Sequence, residues 1–406
     1  MPPDARPRVA VVGAGIIGSA IALELRKRGH AVALFDRDAP GSGCSFGNSG
    51  AISAGSVVPL AMPGVLASLP GMLGRADRPL YLPWRYLPHA APWLVRFVAS
   101  ARPAHVAASV ARLAQLHGDA VALHRALTRD VGVPELMVAR GHLHLYPDAG
   151  ALAKDALGWR LRADHGHAAS PLERADILAL EPNIPARYQR GMFLADHATI
   201  VNPWRYVQAI AAAFTARGGA LQRAGIARVQ RESGGGWRLE GDRTGAVYGH
   251  VVVAAGAWSS RLLEPLGVRL PLESQRGYHV QFRGPAPVTR TVVFADRKVF
   301  LTPMEQGLRV GGTVEIGGID APANPKRATL LARIAAEAFT DLNPASATSW
   351  MGHRPCMPDS VPYVGPVPGH RGLHVATGHG HLGLTAAPRT ALEIAGALDA
   401  RDTARL

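Results

Sequence analysis

Cysteine is scarce in this sequence of 406 residues, which contains only Cys44 and Cys356. Two cysteines cannot build the disulfide framework of a small secreted protein or a four-cysteine zinc site. The 17 histidines are dispersed, and their closest pairs have no neighbouring carboxylate or thiolate that would complete a set of metal ligands. We therefore expect no bound metal and a reducing, cytoplasmic location.

Long apolar runs are also missing, because no stretch of about 18 uncharged apolar residues occurs. The first strand pattern begins by residue 8, so we expect no signal peptide. A composition of 48% hydrophobic and 18% charged residues is typical of a folded protein, and the length predicts about two domains.

Lysine is rare as well: only four of the 44 basic side chains are lysines, although the formal net charge is +14. The arginines are mixed with acidic residues and form none of the dense basic runs of a nucleic-acid surface, so we expect no nucleic-acid partner. A positive field can still attract anionic substrates or an acidic membrane. Peripheral association with the inner face of a membrane, or with another subunit, stays open.

Glycine, in contrast, is abundant and patterned. Residues 8–38 (RVAVVGAGIIGSAIALELRKRGHAVALFDRD) predict a strand, a glycine turn, a helix and a second strand that ends at Asp36. Gly13, Gly15 and Gly18 lie at the three glycine positions of a dinucleotide-binding turn, and an acid at Asp36 can accept both ribose hydroxyls of an adenosine.

A second glycine-rich stretch follows at residues 41–56 (GSGCSFGNSGAISAGS), where a nicotinamide-binding domain would continue into another helix. Such a loop exposes backbone amides and small hydroxyls, so the sequence favours FAD over NAD. The loop residues expected nearest the flavin are Ser45, Asn48, Gly50, Ala51 and Ile52.

Three later segments complete the predicted flavin domain. Segments 218–229 and 251–258 are expected to be strands of the first sheet. Near the C-terminus, Gly378, Gly380 and Gly383 precede a helix expected over about 385–398, whose N-terminus can face the pyrimidine edge of a flavin.

These motifs, VVGAGIIG, SFGNSGAISAG, VVVAAGAWS, RGYHV, RPCMPDSVPYVGP and ATGHGHLGLT, occur from one end of the chain to the other. In their order they resemble the FAD-dependent D-amino-acid dehydrogenases of small-subunit type, within the amino-acid and amine oxidase superfamily that includes glycine oxidase and sarcosine oxidase. Residues 60–190 match only loosely and supply no predicted site residue.

The motifs and the resemblance together predict FAD bound non-covalently, with linkage through Cys44 or Cys356 as the alternative. The predicted cofactor-binding residues are Gly13, Ala14, Gly15, Ile16, Ile17, Gly18, Asp36, Arg37, Ser45, Asn48, Gly50, Ala51, Ile52, Ile226, Ala255, Gly256, Trp258, Gly380, His381, Leu382, Gly383 and Leu384.

The resemblance also implies three substrate residues. Arg354 would bind the substrate carboxylate in a forked geometry that lysine cannot reproduce. Tyr278 would direct its hydroxyl toward the same carboxylate, or would be a strand tyrosine packed in the core. His379 would form part of the pocket wall, and Phe300 stands where glycine oxidase has a substrate-contacting tyrosine, which makes an apolar pocket the expectation.

The expected fold class is α/β, and α+β overall. A Rossmann-like FAD domain would be assembled from 1–60, 187–264 and 350–406. A substrate domain, with an antiparallel sheet and added helices, would comprise 61–186 and 265–349. The sheet would contain strands of 265–345, and residues 106–132 would form one helix.

The implied reaction is oxidative deamination of a D-amino acid, with hydride transfer from Cα giving an imine and then a 2-oxo acid. One alternative is a dehydrogenase or oxidase of a secondary amino acid such as hydroxyproline, proline or sarcosine. Another is a flavoprotein subunit of an electron-transfer complex. Oxygen, a quinone and a partner protein all remain open as electron acceptor.

Overall fold

The computed structural model describes residues 8–64, 80–242 and 245–403. Four short parts of the expected domain segments, 1–7, 65–79, 243–244 and 404–406, lie outside the described residues. The α-helices are α1 (Ile16–Lys27), α2 (Leu87–Ser100), α3 (Pro103–His117), α4 (Ala120–Asp130), α5 (Ala149–Lys154), α6 (Ala156–Asp164), α7 (Arg174–Leu180), α8 (Pro203–Ala216), α9 (Ser259–Leu263), α10 (Pro325–Ala338) and α11 (Gly383–Thr403).

The strands are β1 (Val9–Val12), β2 (Val32–Asp36), β3 (Ala51–Ile52), β4 (Leu80–Tyr81), β5 (Met137–Val138), β6 (His142–Tyr146), β7 (Ser170–Glu173), β8 (Arg190–Leu194), β9 (Ala198–Ile200), β10 (Ala220–Arg223), β11 (Ile226–Arg231), β12 (Trp237–Gly241), β13 (Val247–Tyr248), β14 (His250–Val253), β15 (Glu273–Arg283), β16 (Thr291–Phe294), β17 (Val299–Met304), β18 (Gly307–Ile316), β19 (Thr348–Cys356), β20 (Tyr363–Pro366) and β21 (Leu373–Thr377). Together with the helices they confirm the mixed α/β class.

The first sheet has six strands in the order β10-β2-β1-β14-β21-β20. All neighbours are parallel except the edge pair of β20 and β21. Strands β1 and β14 are buried along their whole length, as parallel strands covered on both faces must be. Helices α1, α8 and α11 cover one face. The sheet therefore brings together distant parts of the chain, as expected for the flavin domain.

The other face of this sheet is covered by a small three-stranded sheet, β11-β12-β13. Residues 218–229 were expected to form a strand of the six-stranded sheet, but only β10 does so. Strand β11 turns away and pairs antiparallel with β12 instead. The expectation is thus correct for the first half of that segment and wrong for the second. A second three-stranded sheet, β3-β9-β5, lies beside α11.

The largest sheet follows the order β19-β15-β18-β17-β16-β6-β8-β7, with β4 beside β18. Most of its pairs are antiparallel, as expected, but β16 with β6 and β18 with β4 are parallel. Strands β8 and β19 belong to this sheet. Residues 190–194 and 348–356, which were expected in the FAD domain, thus pair with strands of this large sheet.

Two helical expectations also change in detail. Residues 106–132 form two helices, α3 and α4, which are separated at Gly118 and Asp119. Helix α11 begins at Gly383 and continues to Thr403, beyond the expected 385–398. None of the helices in the described ranges combines the length and the apolar character that crossing a membrane requires.

Candidate active site

The turn between β1 and α1 leaves no room for side chains at two of its glycines. Gly13 has φ +108°, and a Cβ there would lie 2.4 Å from the Ala254 carbonyl oxygen. A Cβ on Gly18 would lie 1.8 Å from the Gly13 oxygen. The glycines thus let helix and strands approach closely and leave the N-terminus of α1 open to a phosphate group.

The glycine-rich loop at 41–56 lies against this helix N-terminus. The backbone N–H of Ile16 donates to Ser45 Oγ at 2.9 Å. The backbone oxygen of Asn48 accepts from Arg309 of β18 at 2.7 Å, and that of Ala51 accepts from the Thr385 hydroxyl of α11 at 3.1 Å. The loop therefore connects the six-stranded sheet to the nine-stranded sheet along one side of the site.

Asp36 ends β2 with its carboxylate beside the glycine turn. Its two oxygens accept from the backbone N–H groups of Ala14 at 2.6 Å and Asp38 at 3.0 Å. Burial raises the pKa of Asp36, and these two hydrogen bonds oppose that shift. The carboxylate is held where it can accept the hydroxyls of an adenosine ribose.

Arg37 and Trp258 form the neighbouring wall. The Arg37 guanidinium lies 4.5 Å from the centroid of the Trp258 ring, a cation–π distance. Trp258 in turn meets the His353 ring edge-on at 5.3 Å. This stack runs from the end of β2 toward β19.

The C-terminal glycine turn closes the site from the other side. Gly378 and Gly380 have positive φ, and the Gly380 N–H donates to the Pro355 oxygen at 2.7 Å. His379 points into the protein, where its Nε2 lies 3.0 Å from the Thr390 hydroxyl and burial lowers its pKa to about 3. His379 thus braces the turn and, like His381, lines the cavity.

One continuous cavity of about 1350 Å³ runs from these elements to the nine-stranded sheet. It exceeds the range of about 300–1,000 Å³ that is typical for a single small ligand, so it can hold a dinucleotide and a substrate. All predicted site residues line it except Ala14, Gly18, Gly50 and Ile52, which lie behind the wall. Such residues can still act through their backbone, as Ala14 does when its N–H donates to the Asp36 carboxylate.

Arg354 projects from β19 into this cavity across the face of Gly277. A Cβ on Gly277 would lie 2.3 Å from the Arg354 Cζ, so a side chain there would displace the guanidinium. Its Nη1 makes one long hydrogen bond, 3.4 Å, to the Thr313 oxygen. Among the described residues it has no carboxylate partner, and burial lowers its pKa. Arg354 is an incompletely paired cation that faces the cavity.

The Tyr278 hydroxyl has partners within the protein. The hydroxyl donates to Glu315 and accepts from the Asn324 N–H at 2.9 Å and from Arg276 at 3.1 Å. Its ring belongs to the core cluster under α10. Of the two expectations, the contacts fit the core tyrosine. The carboxylate role stays a prediction, since Tyr278 lines the cavity but its hydroxyl already has one acceptor and two donors as partners.

Neither cysteine is in a reactive state. The Cys44 thiol donates to the His353 oxygen at 2.9 Å, and burial raises its pKa to about 11. Burial likewise raises the pKa of Cys356 to about 12. Thiols of this kind stay protonated at neutral pH and are poor nucleophiles.

The cavity also has an end that the sequence did not reveal. Its walls come from β6, β16, β17 and the α5–α6 region, which is part of the loosely matching middle of the chain. No motif marks these positions, and Phe300 is the one residue among them that the sequence analysis names. The residues that line this end include His144, Tyr146, Trp159, Arg162, Lys298 and Phe300.

Comparison with known proteins decides the family. The profile described as DAO, FAD dependent oxidoreductase, matches residues 8–397, nearly the entire chain. The protein belongs to this family of FAD-dependent oxidoreductases. A D-amino-acid oxidase from Bradyrhizobium diazoefficiens is 38% identical over 404 residues, covering 96% of this chain and 94% of that protein. A D-amino acid dehydrogenase from Dechloromonas aromatica is 31% identical, covering 97% of both.

A solved structure agrees with the family. Glycine oxidase from Geobacillus kaustophilus superimposes with a TM-score of 0.75 at 25% identity, covering 97% of this chain and 95% of that one. The cofactor of this FAD-dependent family fits the residues present, since a Cβ at Gly13 would obstruct the turn and the cavity is long enough for a dinucleotide. FAD-dependent oxidation is therefore the chemistry of this fold and site.

Proposed function

We propose that this protein catalyses the FAD-dependent oxidative deamination of a D-amino acid. The observation that carries the proposal is Arg354, a cation without a carboxylate partner among the described residues, in the same cavity as the glycine turn of β1 and α1. The names of the two relatives, at 38% and 31% identity, favour a D-configured substrate.

The α-carboxylate of the substrate supplies the partner that Arg354 lacks. A guanidinium can hold a carboxylate through two parallel N–H···O bonds, which fixes orientation as well as position. Because a desolvated cation without an anion is costly, the substrate carboxylate also stabilises the site that binds it.

FAD would lie along the glycine turn, with the Asp36 carboxylate toward its ribose and the loop at Ser45 beside its middle. The turn at Gly380 to Leu384 would face its pyrimidine ring. Bound there, FAD supplies the two-electron acceptor for the Cα–H bond. The protonated thiols of Cys44 and Cys356 favour non-covalent attachment.

The chain itself orients the substrate and controls its protonation. Arg354 fixes the Cα through the carboxylate, while the positive field of Arg354 and Lys298 favours the neutral form of the substrate amine. Oxidation of the Cα–N bond gives an imine, and water then converts the imine to a 2-oxo acid and ammonia.

Arg354→Leu tests this proposal. We expect KM for a D-amino acid to rise by roughly 100-fold, because two charge-assisted hydrogen bonds are lost, while bound FAD stays stoichiometric. Arg354→Lys keeps the charge but loses the forked geometry, so its KM should lie between those of the wild type and Arg354→Leu. The exposed Arg228→Leu serves as a control. A near-unchanged KM in Arg354→Leu would contradict the assigned role.

The secondary amino acids remain the rival substrates, since Phe300 lines the cavity where a ring could pack. Proline, cis- and trans-hydroxyproline and sarcosine belong in the same assay. Adding air or a soluble quinone to the substrate-reduced protein then identifies the acceptor.

A further inference from the structure

The end of the cavity beyond Arg354 carries two more cations. Arg162 comes from α6, and Lys298 comes from the turn between β16 and β17. Both line the same cavity as Arg354, next to the apolar ring of Phe300. The proposed binding of the α-carboxylate and of FAD does not use hydrogen bonds from either of these two cations.

Arg162 resembles Arg354 in its surroundings. Its guanidinium lies 4.7 Å from the centroid of the Trp159 ring, and its Nη1 lies 3.1 Å from the position of a Cβ on Gly158. Burial lowers its pKa. Within residues 8–64, 80–242 and 245–403, no carboxylate forms an ion pair with it. Asp155 and Tyr146 oppose this shift from a longer distance, so Arg162 is a second desolvated guanidinium without an ion-paired carboxylate among the described residues.

Lys298 is held beside the strand that Arg354 contacts. A Cβ on Gly312 would lie 2.9 Å from the Lys298 oxygen, and the next residue, Thr313, provides the oxygen bonded by Arg354. Lys298 and Thr313 both have left-handed backbones, with φ 53° and 57°. Such conformations are unfavourable for residues with side chains and concentrate at binding sites.

The buried His144 lies within electrostatic reach of both cations. Its pKa lies well below the usual value, mainly through burial, and both Arg162 and Lys298 lower it further. His144 is aligned across the sheet with Val293, and Val293 with Phe300. Arg162, Lys298 and His144 all line this cavity, together with the apolar ring of Phe300.

Negative charge at this end is insufficient to neutralise them. Asp155 is the one acidic residue among the described residues that line it; it accepts from the Tyr146 hydroxyl at 3.0 Å and lies 3.9 Å from Lys298 Nζ. Lys154 lines the cavity as well. The other lining acids, at 36, 38 and 242, lie at the adenosine end.

We propose that this end binds the side-chain carboxylate of an acidic D-amino acid, with Arg354 holding the α-carboxylate and Arg162 together with Lys298 holding the distal one. Phe300 would contact the methylene groups between them. This inference rests on the proposed function and specifies its substrate class as D-glutamate or D-aspartate.

The test compares acids with their amides, which have nearly the same shape but no charge. The reduction of the flavin in the holoenzyme is followed anaerobically with D-glutamate, D-glutamine, D-aspartate and D-asparagine. We expect each acid to exceed its amide roughly 10- to 100-fold in apparent second-order rate constant, because charge-assisted hydrogen bonds are the stronger ones.

Arg162→Met should lower this acid-to-amide ratio at least about 10-fold. Lys298→Asn is the second variant, because asparagine tolerates a left-handed backbone. Arg160→Met, an exposed arginine on the same helix, is the matched control and should keep the wild-type ratio. Equal rates for acid and amide in the wild type, or a ratio unchanged in both variants, would overturn the proposal.

A binding measurement separates this proposal from the proposed function. Glutarate should perturb the flavin absorbance with a Kd roughly 10-fold lower than butyrate, and Arg162→Met should remove the difference. Tight glutarate binding without flavin reduction by any D-amino acid would support the acidic pocket and contradict the proposed function. Reduction of the flavin by D-alanine, without preference for glutarate or D-glutamate, would support the proposed function and contradict the acidic pocket.

Discussion

Gly277 determines how closely Arg354 can approach the floor of the cavity. A methyl group at this position would lie 2.3 Å from the guanidinium carbon, so Arg354 must move if Gly277 is replaced. Gly277 has no left-handed backbone, so glycine is needed there for space alone. The missing side chain therefore controls the proposed contact between Arg354 and the carboxylate.

Gly277→Ala should raise KM for the amino-acid substrate about 10-fold or more while leaving FAD content unchanged, because it misplaces the fork without touching the glycine turn. Steady-state kinetics measures KM, and the flavin-to-protein absorbance ratio measures the FAD content. Gly234→Ala, where a Cβ meets open space, is the control. Wild-type KM in Gly277→Ala would show that the guanidinium is not held where the structure places it.

Arg354 could be located from the sequence, but the direction of Tyr278 could not. In β15 every residue but the last is buried, so the alternation of polar and apolar residues that assigns strand faces is lost. A register shift also occurs between Gly277 and Tyr278 where β15 pairs with β18. The sequence therefore did not indicate which face Tyr278 occupies.

Three helices meet at one buried imidazole. His124 of α4 donates from Nε2 to the Leu384 oxygen of α11 at 2.8 Å and accepts at Nδ1 from the Tyr206 hydroxyl of α8 at 3.0 Å. Burial lowers its pKa from 6.5 to about 4. Helix α11, which follows the C-terminal glycine turn, is thus tied to its neighbours through a neutral histidine.

This histidine predicts a pH dependence of stability. Between pH 6.5 and about 4 the unfolded chain binds a proton at His124 that the folded protein does not, so stability is present above 6.5 and falls as the pH decreases. His124→Gln removes this titration. The loss of unfolding free energy between pH 7 and 5 should shrink by about 2 kcal/mol.

Denaturant unfolding of the holoenzyme at both pH values measures this difference, with the exposed His105→Gln as control. Because the slope with pH is compared, an overall loss of stability in the variant does not affect the conclusion. An unchanged slope in His124→Gln would mean that His124 does not resist protonation in the folded state.

The β1–α1–β2 unit was predictable because its strand, turn and helix are contiguous in sequence and each glycine has a local steric reason. The contribution of α6 was not predictable from the sequence, because Arg162 reaches the cavity only through the packing of 156–164 near β6 and β17. The same holds for β8 and β19, whose partners in the large sheet lie far away in the chain.

The whole molecule joins two sheets around one cavity. The six-stranded sheet contributes the glycine turn and Asp36, while the nine-stranded sheet contributes Arg354 and Lys298. Four of the lining cations, Arg162, Lys154, Lys298 and Arg354, lie away from the adenosine end. The formal charge of +14 thus includes a local excess where an anionic substrate would bind.

The most direct test of the central claim is the anaerobic absorbance spectrum of the purified, FAD-loaded protein before and after addition of single amino acids. The account predicts that D-amino acids bleach the flavin band, whereas their L-enantiomers, proline, the hydroxyprolines and sarcosine do not. Bleaching by the secondary amino acids alone, or by none of these compounds, would contradict it.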